Sequence, residues 1–382
     1  MTTRVLIIGG YGNFGSYIAR ALSSDPNISL LIGGRSKAKA DAFAEELDAC
    51  NAATGCVLDI EGDIDGRLAE IRPDVIIHTT GPFQFQDHRV ARAAIAAGAH
   101  YLDLADARDF VSTIGELDAD AREAGVSVIA GASSVPCLTA AFIDHYRPNF
   151  ARLESAIYGI AAAQATNRGL GTAAAILSYV GRPFTNLRDG VRKRAFGWQG
   201  LHGVRYPELG LRLFGDCDIP DLELFPGRYP ELRDLRFVAG HEVKMLHMGT
   251  WLLSWAVRLG LIRSLAPHAQ RLLSLSFLFD PLGSDKSGFH MFLTGTDKDG
   301  KPMEVRVFMV ARQVHGPNIP CMPAIILAKR IAAGQPPQPG ARPCLDLIDL
   351  EELLGSIGHL DITTRVTGPG IDDLWPGTRT NE

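Results

Sequence analysis

The chain has no long hydrophobic run. Its most extended apolar stretch, Met245 to Val257, contains His247 and stops at Arg258, short of the roughly 18 uncharged residues that a membrane-crossing helix needs. A secretory h-region is missing as well. The amino terminus, Met-Thr-Thr-Arg4, leads into an apolar run only from Val5 to Ile8, where about 7–15 residues would be required. Cysteine is sparse and scattered: Cys50, Cys56, Cys137, Cys217, Cys321 and Cys344 form no CxxC pair. That excludes zinc-ribbon spacing and, at this length, a disulfide scaffold. Reduced thiols and a cytoplasmic location are the expectation. Basic charge is not in excess either. With 38 Lys+Arg against 43 Asp+Glu the formal charge is −5, so no nucleic-acid footprint is present. Two catalytic signatures fail on inspection. His241-Glu242 with His247 lacks the i, i+4 histidine spacing of a zinc protease helix, and no metal site is expected. Gly131-Ala132-Ser133-Ser134-Val135 does not complete the G-x-S-x-G elbow of a serine hydrolase.

What remains is an ordinary globular composition over 382 residues, 46% hydrophobic and 21% charged, enough for two domains. The first 140 residues alternate short apolar runs with Ala-rich helical segments. Strands are predicted at Val5–Ile8, Ser29–Ile32, Val57–Asp59, Val75–Thr79, Tyr101–Leu104 and Val126–Ala130, with helices over Phe14–Ser23, Lys37–Asp48, His88–Ala97 and Phe110–Glu123. Runs that are apolar throughout imply a sheet covered on both faces, and the alternation implies an α/β class with a doubly wound parallel sheet, a Rossmann domain over 1–140. Residues 141–320 read as an α+β domain built on an antiparallel sheet. It has a strand at Leu153–Ala162, a helix from near Gly171, loops and short strands from Gly190 to His247, and a hairpin around Asp297-Lys298-Asp299-Gly300. A helix over 321–334 is expected to pack back on the first domain. Residues 335–382 form a C-terminal segment, its tail from Thr367 loosely ordered. The segment Trp251–Ile262 is apolar on nearly every face, so a buried or subunit-interface helix is the default reading and a weak membrane-surface contact the alternative.

The first strand ends in Gly9-Gly10-Tyr11-Gly12-Asn13-Phe14-Gly15 and runs straight into an amphipathic helix. Gly10, Gly12 and Gly15 fit G-x-G-x-x-G: Gly10 for the tight turn, Gly12 for close approach to a pyrophosphate, Gly15 for helix–strand packing. The helix N-terminus presents its N–H groups to the phosphates, so the whole loop from Gly10 through Tyr11, Asn13 and Phe14 is a dinucleotide cradle. Twenty positions after Gly15, where an NAD site carries an acid for the ribose hydroxyls, stand Gly34-Arg35-Ser36. A carboxylate would repel a 2′-phosphate, whereas the Arg35 guanidinium pairs with it and Ser36 donates to it; the cofactor is read as NADP. Asp59 is placed toward the adenine side. Thr80, Gly81 and Pro82 shape a turn beside the ribose and nicotinamide.

Chemistry in open α/β sheets sits beyond the carboxyl ends of the strands. A hydride acceptor also needs a proton, and His88, Tyr101, Asp103 and Asp106 are the candidate groups. The sequence does not choose among them.

Taken together, Gly9–Gly15, Gly34-Arg35-Ser36, Gly81-Pro82-Phe83, Ala99-His100-Tyr101-Leu102-Asp103-Leu104 and Ser134-Val135-Pro136 resemble the saccharopine dehydrogenase-like family, most clearly over residues 1–140. Gly169-Leu170-Gly171-Thr172 is similar to that family's glycine–threonine helix start, and Pro320–Gly334 to its closing helix. The resemblance implies an NADP-binding Rossmann domain, an inserted α+β domain and a homodimer joined through that domain. It also implies hydride transfer to or from an imine or carbonyl of a small-molecule substrate held between the domains, where Arg168, Gly171 and Thr172 would meet an anionic group. Many relatives carry Leu-Thr-Gly-Glu after the fifth strand; here Leu104-Ala105-Asp106-Ala107 lacks the glutamate. Two other readings are an enoyl-type reductase acting on a lipid or polyketide intermediate and a non-catalytic NADPH-binding partner protein.

Overall fold

The computed structural model describes residues 2–375. One compact unit comprises Met1–Ala141 with Asn318–Asp349; a second comprises Phe142–Pro317 with Leu350–Glu382. The residues read from the sequence as one C-terminal segment from 335 onward are therefore divided between the two.

In the first unit, β1 (Thr3–Ile8) buries Val5, Leu6, Ile7 and Ile8 completely, as a strand covered on both faces must. It pairs in parallel with β2 (Ile28–Gly34) on one side and β4 (Val75–His78) on the other. β3 (Thr54–Val57) extends one wing; β5 (His100–Asp103) and β6 (Ser127–Ala130) extend the other. The strand order thus reverses between β1 and β4, which is where α/β sheets open a ligand crevice. The connecting helices include α1 (Asn13–Ser23), α2 (Lys37–Glu46), α3 (Ile64–Ile71) and α4 (Arg89–Ala96). α3 escaped the periodicity reading because it is only two turns long; Asp63 caps it by accepting from the Gly66 amide at 3.0 Å. The helix predicted over Phe110–Glu123 is broken into Arg108–Ser112, a 3₁₀ turn at Ile114–Leu117 and Asp118–Glu123.

A seventh strand, Gly340–Pro343, adds in parallel to the free edge of β6. It lies where the sequence reads as linker, and four residues are too few to show a period. The helix Met322–Ala332 belongs to the same unit, with Cys321 Sγ donating to the Phe14 carbonyl at 3.9 Å.

The second unit carries a ten-stranded sheet. Its strand Arg152–Ala162 pairs antiparallel with Ser287–Thr296 but parallel with Asp234–His241. The sheet is therefore mixed rather than antiparallel throughout. The long connection between the two parallel strands, including the helix Leu170–Tyr179, brings the chain back in the same direction. The hairpin turns at Asp297–Gly300 as predicted, with the Asp297 carboxylate accepting from the Asp299 and Lys301 amides and Gly300 at φ +77°. The region Gly190–His247 also holds a helix, Asp221–Arg228. The tail expected to be loose is instead paired. Ile362–Gly368 and Ile371–Trp375 form a hairpin turning at Gly370 (φ +74°) on the edge of this sheet; the rest of that tail, 376–382, lies outside the described residues. No helix among the described residues is long and apolar enough to cross a membrane.

Candidate active site

The turn after β1 is built on Gly9 rather than Gly10. Gly9 has φ +81°, and a Cβ there would sit 2.8 Å from both the Thr79 and Thr80 hydroxyls. Gly9 and Gly10 both donate to the Gly33 carbonyl, and Gly12 donates back to the Gly9 carbonyl at 2.8 Å. Gly15 packs so closely on Gly9 that any side chain would strike its carbonyl, which fixes α1 against the loop. Gly12 differs. It is exposed, and a Cβ would meet only the Gly9 oxygen at 3.1 Å. A side chain would fill that open space, which is the room a pyrophosphate needs. Gly12 is the N-cap of α1, no side chain caps the helix, and Asn13 opens its first turn. The cradle fits a dinucleotide's phosphates.

At the end of β2, Gly34 is buried beneath the ring of Tyr11, leaving no room for a Cβ. The Tyr11 hydroxyl accepts from the Ser36 amide at 3.2 Å. Ser36 caps α2, its Oγ accepting from the Lys39 amide at 3.4 Å; its own hydroxyl proton is not consumed by that bond. Lys37 is neutralised by Asp41 at 2.6 Å. Arg35 is exposed and has no hydrogen-bond or ion-pair partner among the described residues. Asp59, exposed just past β3, turns the chain by accepting from the Glu61 amide at 3.2 Å.

After β4, Thr79 Oγ1 donates to the Ile8 carbonyl at 2.8 Å, tying the two strand ends that flank the crevice. The Gly81–Pro82 peptide is cis, and Gln86 Nε2 donates to the Thr80 and Pro82 carbonyls at 2.6 and 3.3 Å. Gln86 is a holding residue that no sequence signal marked.

The four candidate proton donors do not converge. Tyr101 and Asp103 are completely buried. Tyr101 pairs with His78 Nδ1 at 3.0 Å, and Asp103 Oδ1 accepts from the Ala105 and Gly131 amides at 2.9 and 2.7 Å. The Tyr101 hydroxyl also lies beside the Asp103 carboxyl. Burial pushes Asp103 up to about 7, against the pull of those two amides, and pushes His78 down to about 3. His78, not among the proton-donor candidates, completes this enclosed row, and its Nε2 has no partner among the described residues. His88 packs its ring at a tilt against Phe110, centroids 4.6 Å apart, and pairs with Thr113 at 3.0 Å; burial lowers its pKa. Asp106 is exposed past the end of β5, with Oδ1 accepting from Gln84 Nε2 at 3.0 Å.

In the second unit, Thr172 is exposed and Gly171 half-buried in the first turn of the helix Leu170–Tyr179. Arg168, the cation expected to meet an anionic group, is already committed. It is ion-paired to Asp280, donates to Ser276 Oγ at 3.1 Å and lies over the Phe277 ring at 4.7 Å.

Residues 5–129 match the family described as the saccharopine dehydrogenase NADP binding domain. Over those residues the chain is similar to the nucleotide-binding domain of the saccharopine dehydrogenase-like family. The fold is similar to that of apo saccharopine dehydrogenase (L-Glu forming) from Saccharomyces cerevisiae, with TM-score 0.66 at 15% identity over 97% of this chain and 100% of that one. Amine dehydrogenase from Mycobacterium smegmatis aligns with TM-score 0.49 at 11% identity, over 92% of this chain and 96% of that one. No curated protein sequence matches this one. The family domain identifies an oxidoreductase with a nicotinamide-dinucleotide site, and the G-x-G-x-x-G cradle is where such a domain seats its pyrophosphate.

Proposed function

We propose that this protein is an NADP-dependent oxidoreductase of saccharopine dehydrogenase type, moving hydride to or from an imine or carbonyl carbon of a small-molecule substrate. Arg35 carries the cofactor reading. It stands unpartnered and exposed at the end of β2, where an NAD-selective domain places an acid, and a guanidinium there pairs bidentately with a 2′-phosphate. Ser36 adds a hydroxyl donor beside it. The bound cofactor supplies the hydride. Gly10, Gly12, Gly15 and the start of α1, with Asn13 and Phe14, hold the pyrophosphate; Tyr11 steadies the adenosine turn; Asp59 lies toward the adenine, and Thr80, Gly81 and Pro82 toward the nicotinamide ribose.

The proton is the second requirement. Tyr101 and Asp103 are too deep to touch a substrate and act as positioning residues for the strand ends. Asp106 alone among the four candidates is exposed, and its carboxyl, steadied by Gln84, is the group to hold or release a proton at the substrate.

The decisive experiment compares cofactors. Arg35→Asp weakens NADPH by about 10- to 100-fold, the worth of a lost charge-assisted hydrogen bond, and changes NADH by much less. Equal losses for the two would overturn the 2′-phosphate reading. Turnover is then sought with NADPH and a panel of imines and carbonyl compounds; NADPH that binds yet is oxidised by no member of the panel would overturn the enzyme.

A further inference from the structure

The helix Lys244–Arg258 is amphipathic with its polarity turned outward. The side it buries holds His247, Thr250, Ser254 and Val257. The side it exposes holds Met245 (68% exposed), Leu252 (61%) and Trp255, and the chain continues through Leu259 (68%) and Leu261 (77%). Positions 245, 252, 255 and 259 recur at intervals of seven, three and four, which is a single helical stripe. A soluble monomer has no reason to place its thioether and its leucines in water while packing a histidine, a threonine and a serine inward. The exposed stripe is built to be covered.

Charge tells what covers it. From Val243 to Phe279 the chain has four cations, Lys244, Arg258, Arg263 and Arg271, and no Asp or Glu, although the whole protein is net negative. All four are exposed, and none has a carboxylate partner among the described residues. Arg258 instead stacks on Phe196 and Trp255, at 3.9 and 4.8 Å, so its charge stands at the rim of the apolar stripe. A second copy of this chain fits poorly, because a two-fold contact sets the same segment against itself and offers its four cations no carboxylate. Leucine, methionine and tryptophan flanked by Lys and Arg match an anionic bilayer surface, into which such a stripe sinks about 5–10 Å while the cations meet the headgroups.

We propose that the face formed by Met245, Leu252, Trp255, Leu259 and Leu261 is a membrane-surface docking site selective for anionic phospholipid. It needs no transmembrane helix and is independent of the redox reading. The test is co-sedimentation of the full chain with vesicles of phosphatidylcholine alone and of phosphatidylcholine with about one third phosphatidylglycerol. The expected result is binding to the second at least about tenfold tighter than to the first, weakened as salt shortens the range of the charges. Paired Leu252→Glu and Leu259→Glu substitutions abolish it while leaving the thermal midpoint and NADPH affinity of the free protein unchanged. Two outcomes overturn the proposal: no binding to either vesicle, or sedimentation velocity showing a dimer that the same two substitutions dissociate while vesicle binding is unaffected.

Discussion

Tyr11 lies across Gly34 and accepts a hydrogen bond from the amide of Ser36 at 3.2 Å. One aromatic ring therefore couples the phosphate loop after β1 to the adenosine-facing turn after β2. Gly34→Ala inserts a methyl group where the ring now rests and must displace it. NADPH affinity should fall by about tenfold while the sheet survives, since both residues sit at its rim. Tyr11→Phe removes only the hydrogen bond, worth about 0.5–1.5 kcal/mol, and should cost a few-fold. Fluorescence titration with NADPH measures both. Unchanged affinity in Gly34→Ala would mean the ring has no part in holding the cofactor.

The buried row His78–Tyr101–Asp103 carries two titrations of opposite sign. Asp103 is raised to about 7, so between about pH 4 and 7 the native state keeps a proton the unfolded state has lost, and stability falls as pH rises. His78 is depressed to about 3, so below about pH 6.5 the unfolded state gains a proton the native state refuses, and stability falls as pH drops. Each contributes a slope of at most about 1.4 kcal/mol per pH unit, and over their shared window they cancel. Chemical denaturation across pH 4–7 should show the balance broken in opposite directions. Relative to the parent, Asp103→Asn loses stability toward acid and His78→Gln toward neutrality. Parallel profiles for the two would refute the assignment.

Glu242 is a heavily bonded carboxylate of the second unit. It pairs with Arg212 at 2.9 Å, both groups about nine-tenths buried, and accepts from Ser284 Oγ and from the Gln164 and Ser284 amides. Glu242→Ala strands a buried guanidinium and should cost about 3–5 kcal/mol. Glu46→Ala breaks the exposed pair with Arg20 and should cost less than about 1 kcal/mol. Urea unfolding of both variants separates a structural hub from a surface contact.

The parts of this molecule legible in sequence are those written in local pattern. The apolar run Val5–Ile8 against the glycine loop announced the first βα unit, and Arg35 could be placed by spacing alone. Gly9 was not separable from Gly10 by pattern, since two successive glycines leave open which one takes positive φ. Other features depend on partners remote in the chain. Arg168 looks free until Ser276 and Asp280 arrive from more than a hundred residues away. Tyr101 and Asp103 were candidates because titratable groups at a strand's carboxyl end often face the crevice; here the Gly131 amide and His78 hold them inside. The segment 245–262 is rich enough in apolar residues to promise burial, and only the fold reveals that its polar stripe is the one packed inward.

The strand Gly340–Pro343 carries a consequence for how this protein is made. It lines the bare edge of β6, where Ser127 Oγ donates to the Pro337 carbonyl and the Gly340 amide to the Val126 carbonyl. The nucleotide-binding half thus waits, during synthesis, for some two hundred later residues to leave the ribosome before its last strand can dock. Until then an unsatisfied ladder of amides and carbonyls invites stray pairing. A fragment cut after residue 141 would keep every cofactor-binding residue named above and still be prone to aggregate, so binding studies on this half require a linker that carries residues 318–349 back to it.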